Sequence, residues 1–108
     1  MKETFDSDSE ITMDNTFTGE VERFDMQGGW HFVSVPPELS KPLELFANHF
    51  GYISIKAKVG NTIWDTSLLP KGDRTHFIAL PAKVRSTEKL SLGSELEISF
   101  EPRSRDSK

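Results

Sequence analysis

Tyr52-Ile53-Ser54-Ile55-Lys56-Ala57-Lys58-Val59, then Gly60-Asn61, then Thr62-Ile63-Trp64-Asp65-Thr66-Ser67-Leu68 is the stretch that decides the fold. Ile53, Ile55, Ala57 and Val59 alternate with Tyr52, Ser54, Lys56 and Lys58. Successive side chains of a strand point to opposite faces, so this segment reads as a half-buried β-strand. Gly60-Asn61 reads as a two-residue hairpin loop whose positive φ angles both residues tolerate, which makes 62–68 the antiparallel partner. The same alternation recurs outward from the hairpin. Leu96, Ile98 and Phe100 alternate with Glu95, Glu97, Ser99 and Glu101. Phe17, Gly19 and Val21 sit between Thr16, Thr18, Glu20 and Glu22, and the slip of pattern at Arg23-Phe24 predicts a bulge. The run from Trp30 to Val35 follows Gly28-Gly29 and is apolar on both faces for most of its length. Pro70-Lys71-Gly72-Asp73 is a second turn, leading into a strand from Thr75 to Leu80.

Two segments interrupt the strands. Pro42 to Asn48 places proline in a first turn, good helix formers after it and Gly51 beyond, so one or two helical turns are expected. Pro81 to Ser86 starts in the same way and precedes the turn pair Gly93-Ser94. Short strands separated by turns, with two short capping helices and no long crossovers, predict an all-β fold. The expected architecture is a small closed or split barrel of six to seven strands rather than a βαβ sheet. Closure also removes exposed strand edges.

The chain has 108 residues and a net charge of -4, enough for one core and one domain. No apolar run approaches the ~20 residues a membrane helix needs, so no membrane partner is expected. The start carries one basic residue with no apolar segment behind it, which does not read as a secretory leader. The absence of cysteine removes disulfides, thiolate nucleophiles and Cys-ligated zinc, and makes a cytoplasmic location the expectation. Glu3, Asp6, Asp8, Glu10 and Asp14 against Lys2 give residues 1–14 a charge of -4, so they read as a disordered acidic arm. Arg103, Arg105 and Lys108 against Asp106 make 102–108 a basic tail of +2, also read as disordered. The single barrel domain is expected over 15–101.

The spacings of His31, His49 and His76 match no metal motif, and no metal or cofactor is expected. His31, beside Trp30, reads as a rim or cross-strand packing residue. Ser54, Ser67 and Ser99 lie on strands, and no Gly-x-Ser-x-Gly elbow is present. Asp65 and Asp73 flank the second hairpin, where carboxylates usually bond backbone N–H groups. No catalytic residue emerges, and the chain reads as a non-enzyme.

The group that remains is Trp64, Asp65, Arg74, His76, Lys83 and Arg85. The second hairpin is expected to make the first four neighbours, with Lys83 and Arg85 just past its second strand. An aromatic face beside cationic donors suits a small anionic or aromatic ligand, or a peptide segment. In that reading Trp64 stacks, Lys83 and Arg85 supply charge, Asp65 orients Arg85, and His76 makes the charge pH-sensitive. In the alternative, Arg85 pairs with Asp65 or Asp73 and covers the barrel mouth with its stem.

The run Asn61 to Asp73, followed by Leu80-Pro81-Ala82-Lys83-Val84-Arg85 and Leu92-Gly93, resembles a family of short bacterial β-barrel domains of unknown function. That family is associated with bacteriocin-protection (YdeI-like, OmpD-associated) proteins. Phe17, Val21 and Trp30-His31-Phe32-Val33 before Pro36 match its opening strand and its Trp-x-Phe-Val signature, so the resemblance covers about residues 15–101. It implies a small barrel with helical caps and a binding or accessory role with no established activity. Arg74 stands where a glycine usually follows the turn aspartate, and Ser94 where Gly-Asp is expected. A shorter stretch, Leu80 to Ile98, is similar to AbrB-type swapped-hairpin transcription factors and antitoxins, which implies a DNA-binding dimer. Electrostatics disfavour a nucleic-acid partner, because DNA affinity rests on phosphate neutralisation and the body of this chain carries -2.

Overall fold

The computed structural model describes residues 15–25, 29–47 and 51–103. The acidic arm, His49 and residues 104–108 of the basic tail lie outside the described residues. In chain order the elements are β1 (Asn15–Glu20), β2 (Glu22–Arg23), β3 (His31–Val35), α1 (Pro37–Ser40), a 3₁₀ helix (Lys41–Phe46), β4 (Ile53–Val59), β5 (Thr62–Pro70), β6 (His76–Ala79), α2 (Ala82–Thr87) and β7 (Glu95–Pro102). The seven strands form one sheet in the order β1-β7-β4-β5-β6-β3-β2, and every pairing is antiparallel.

The two edge strands of that order are consecutive in the chain, with only Val21 between them. One bent strand therefore pairs with β7 through its first half and with β3 through its second, which rolls the sheet into a nearly closed barrel. The bend is fixed at Val21, whose N–H donates to the Ser94 carbonyl and whose carbonyl accepts from the Gly93 N–H, both at 2.9 Å. The break expected at Arg23-Phe24 thus falls two residues earlier, where the turn before β7 holds the backbone. Gly19 makes the closure sterically feasible, since a β-carbon there would lie 2.5 Å from Val33 Cγ2.

The inward faces of β4 and β7 are those the alternation predicts: Ile53, Ile55, Ala57, Val59, Leu96, Ile98 and Phe100 are all buried. At the Gly60-Asn61 loop, Val59 pairs with Thr62. Gly60 alone of the two has positive φ, +58°, which is the pattern of a type II′ turn, with glycine in its first position. β3 is buried on both sides because the barrel has a small second core outside it. There Phe24 stacks on Phe32 with centroids 4.1 Å apart, Phe77 meets both edge-on, and Lys71 Nζ lies 5.4 Å from the Phe32 centroid.

The first helical segment begins at Pro37, earlier than the sequence pattern suggests. Pro42 has no N–H to donate, so the α-helix cannot run through it and the chain tightens into the 3₁₀ turn. The second helix forms where expected. β7 runs to Pro102, and Arg103 is still tied to β4, its N–H on the Ser54 carbonyl (2.9 Å) and its Nε on the Ile55 carbonyl (3.1 Å).

Candidate functional site

The register of the second hairpin separates the residues expected to meet. Leu68 faces Ile78, Leu69 faces Phe77 and Pro70 faces His76, and the pairing goes no further. Trp64 lies six residues along β5 from Pro70, roughly 20 Å at the rise of a strand. Trp64 and Asp65 therefore do not neighbour Arg74 and His76. As adjacent strand residues they also point to opposite faces: Trp64 packs against the core, while Asp65 lies outside, on Lys56 (3.2 Å) and Arg103 (3.8 Å). Asp65 consequently does not orient Arg85. Arg74 sits exposed in the turn at φ 74°. His76 is buried inside the opposite end of the barrel, its Nδ1 without a hydrogen-bond partner among the described residues. Asp73 behaves as carboxylates near turns do: it accepts from the Thr75 N–H (3.0 Å) and the Thr75 hydroxyl, and those bonds hold its pKa below the ordinary value.

Lys83 and Arg85, two residues apart on α2, diverge to its two sides, since only residues three or four apart share a helix face. Each lines a separate depression. On Arg85's side is a cleft of about 370 Å³ lined by Trp30, His31, Ala79, Leu80, Pro81 and Arg85, with Gly29 at its edge. Pro81 ends the sheet run and starts α2, and the first helical turn carries Arg85 back over its own approach, with Nε donating to the Leu80 carbonyl at 3.0 Å. That bond leaves the two terminal nitrogens of the fork, which have no ion-pair partner among the described residues. Trp30 is 58% exposed on the rim. His31 pairs across the β2–β3 ladder with Arg23. Burial, and then the Arg85 and Arg23 guanidiniums, hold the His31 pKa below its ordinary 6.5. The imidazole is therefore neutral at pH 7, able to donate from one nitrogen and accept at the other, while the guanidiniums carry the charge. An apolar wall, an exposed indole and a pre-set guanidinium fork suit a planar anion.

Trp30, Arg23 and His31 are absent from the set the sequence points to, and His31 reads there only as a rim or cross-strand packing residue. They are brought together by the register of β2 on β3, which pairs Arg23 with His31 and sets the Phe24 N–H on the Trp30 carbonyl at 3.1 Å.

On Lys83's side a groove of about 530 Å³ runs between α2 and the start of β5, bordered by Thr62, Ile63, Trp64, Pro81, Lys83 and Val84. The Trp64 indole Nε1 is buried with no hydrogen-bond partner among the described residues. Among the described residues no group of three or more His, Asp or Glu side chains is placed to hold a metal ion, and no helix is long and apolar enough to cross a membrane.

A family model described as a domain of unknown function (DUF1905) matches residues 17–100, from the inward Phe17 of β1 to the inward Phe100 of β7. No curated protein matches the chain.

Proposed function

The chain belongs to the DUF1905 family of domains of unknown function, and from that premise we propose that it is a non-catalytic binding module for a small aromatic anion held in the Arg85 cleft. The observation that carries this reading is the Arg85 side chain, fixed through Nε on the Leu80 carbonyl beside Trp30 and His31, its terminal nitrogens without an ion-pair partner among the described residues. Arg85 would bind the anionic group in two-point fashion, Trp30 would cover the ring, and neutral His31 would complete the hydrogen bonding. Of the six residues the sequence singled out, this reading keeps Arg85 alone in the cleft. A cytoplasmic location is part of the reading and rests on the lack of cysteine. An accessory role beside a bacteriocin-protection domain is a further part, resting on the resemblance of Trp30 to Pro36 and Asn61 to Asp73. A DNA-binding dimer has less support: Lys56 and Arg103 are taken up by Asp65, and Lys71 lies over Phe32.

The test is an amide-shift titration with benzoate, indole-3-acetate and phenyl phosphate. Shifts should centre on Trp30, His31 and Arg85. Arg85→Ala should weaken binding at least about ten-fold, the scale of a charge-assisted hydrogen bond, whereas Lys83→Ala should leave it unchanged. Equal binding by the Arg85 variant overturns the assignment.

A further inference from the structure

We propose a second site on the other side of α2: the open edge of β5 accepts an extended peptide as an added antiparallel or parallel strand, and Lys83 selects an acidic one. β5 has nine residues, of which Leu68, Leu69 and Pro70 pair with β6, leaving six, Thr62 to Ser67, with β4 on one edge and, among the described residues, no strand on the other. None of those six is a proline, so each second residue along this stretch turns both its N–H and its carbonyl toward the vacant side. The vacancy has a definite cause. Leu80 gives its N–H to the His31 carbonyl on β3, and Pro81 then diverts the chain into α2 instead of alongside β5. At strand rise the open edge is about 20 Å long, the reach of a peptide of six residues.

The groove beside this edge supplies what strand addition needs beyond backbone bonds, namely side-chain pockets on a preformed wall. Ile63, 48% exposed, Trp64 and Val84 give it apolar surface. Among the described residues Lys83 is the one charged side chain lining it, and it has no ion-pair partner. Asp65 and Glu88 do not line it: Asp65 is paired by Lys56 and Arg103, and Glu88 keeps its charge but is turned onto the Thr62 hydroxyl. The charge that the groove itself presents is thus the Lys83 ammonium, which complements an acidic side chain or a C-terminal carboxylate. A second copy pairing through the same edge would bring its own α2 to the seam, because that helix follows β6 directly and walls the groove. A lone strand meets no such obstacle.

The probe is an N-acetylated octapeptide alternating threonine and valine and ending in two glutamates, tested on the full chain by amide hydrogen exchange. Alternate amides within Thr62–Ser67 should slow at least about ten-fold. N-methylation of the peptide nitrogens in one alternating set should abolish this protection, while methylation of the other set leaves it. Lys83→Glu should weaken the glutamate peptide about five-fold and favour a lysine-ended version, the scale of one solvated ion pair. Arg85→Ala should leave the peptide result unchanged, so failure here and failure of the Arg85 cleft are separately visible. Three results overturn the proposal: no slowing at Thr62–Ser67 with millimolar peptide, indifference to both methylated sets, or a sedimenting dimer whose β5 amides are protected without peptide.

Discussion

The barrel has two seams, and they are built in opposite ways. At the first, β1 and β2 are one strand bent at Val21, held by two backbone hydrogen bonds and brought so close to β3 that only glycine fits at position 19. At the second, β6 stops pairing with β5 after three residues and Pro81 turns the chain into a helix. Closure at the first seam is a matter of backbone approach. Opening at the second is a matter of one missing N–H and a helix start. The Arg85 cleft and the Lys83 groove both lie beside the open seam, so the part of the fold least satisfied by its own backbone carries the candidate chemistry.

The largest expected effect lies at the closed seam. Gly19→Val would drive a branched side chain into Val33 and should cost about 3 kcal/mol of stability, read as a lower urea midpoint. A loss below about 0.5 kcal/mol would mean that β1 does not need this close approach. Next in size is Gly60→Ala in the hairpin that begins β5, where φ is +58° and the added carbon would lie 2.2 Å from a Glu88 carboxylate oxygen. About 1 to 2 kcal/mol should be lost, and the Thr62–Glu88 hydrogen bond should break. Pro81→Ala at the open seam should change stability by less than about 1 kcal/mol, because no packing depends on an unpaired edge. A much larger loss would show that the seam is held by Pro81 and not merely released there.

The smallest effect is a pH dependence. His31 has a folded pKa below its unfolded one, so the unfolded chain takes up its proton first as pH falls. The His31 contribution is whole above pH ~6.5 and diminishes as pH falls through the folded pKa. His31→Gln should flatten that part of the stability profile. An anion in the Arg85 cleft would favour protonated His31, so its affinity should rise over the same interval, a trend the variant should lack.

Strands were legible wherever one face is buried and the other wet. In β4 and β7 the alternation named each inward residue, because a half-buried strand writes its two environments into successive positions. The extent of β6 was not legible, since Leu80 continues the apolar run yet bonds to β3 while Pro81 leaves the sheet. The constellation of Trp64, Asp65, Arg74 and His76 failed on that register. It also failed on something the alternation already contained, that Trp64 and Asp65 face opposite ways. Lys83 and Arg85, two residues apart on α2, line different depressions. Trp30, Arg23 and His31 come together through β2, two residues long, and no periodicity can be read from so short a strand.

The pairing of β1 with β7 has one more consequence. Asn15 stands directly opposite Phe100, with its side-chain amide on the Phe100 carbonyl at 3.3 Å, so the polypeptide enters and leaves the barrel at neighbouring points. Such a body can be spliced as a cassette into a surface loop of a host protein without stretching the host backbone. Its own ends can equally be joined by a short linker and reopened at the exposed Gly72 turn, giving a circular permutant with the same core.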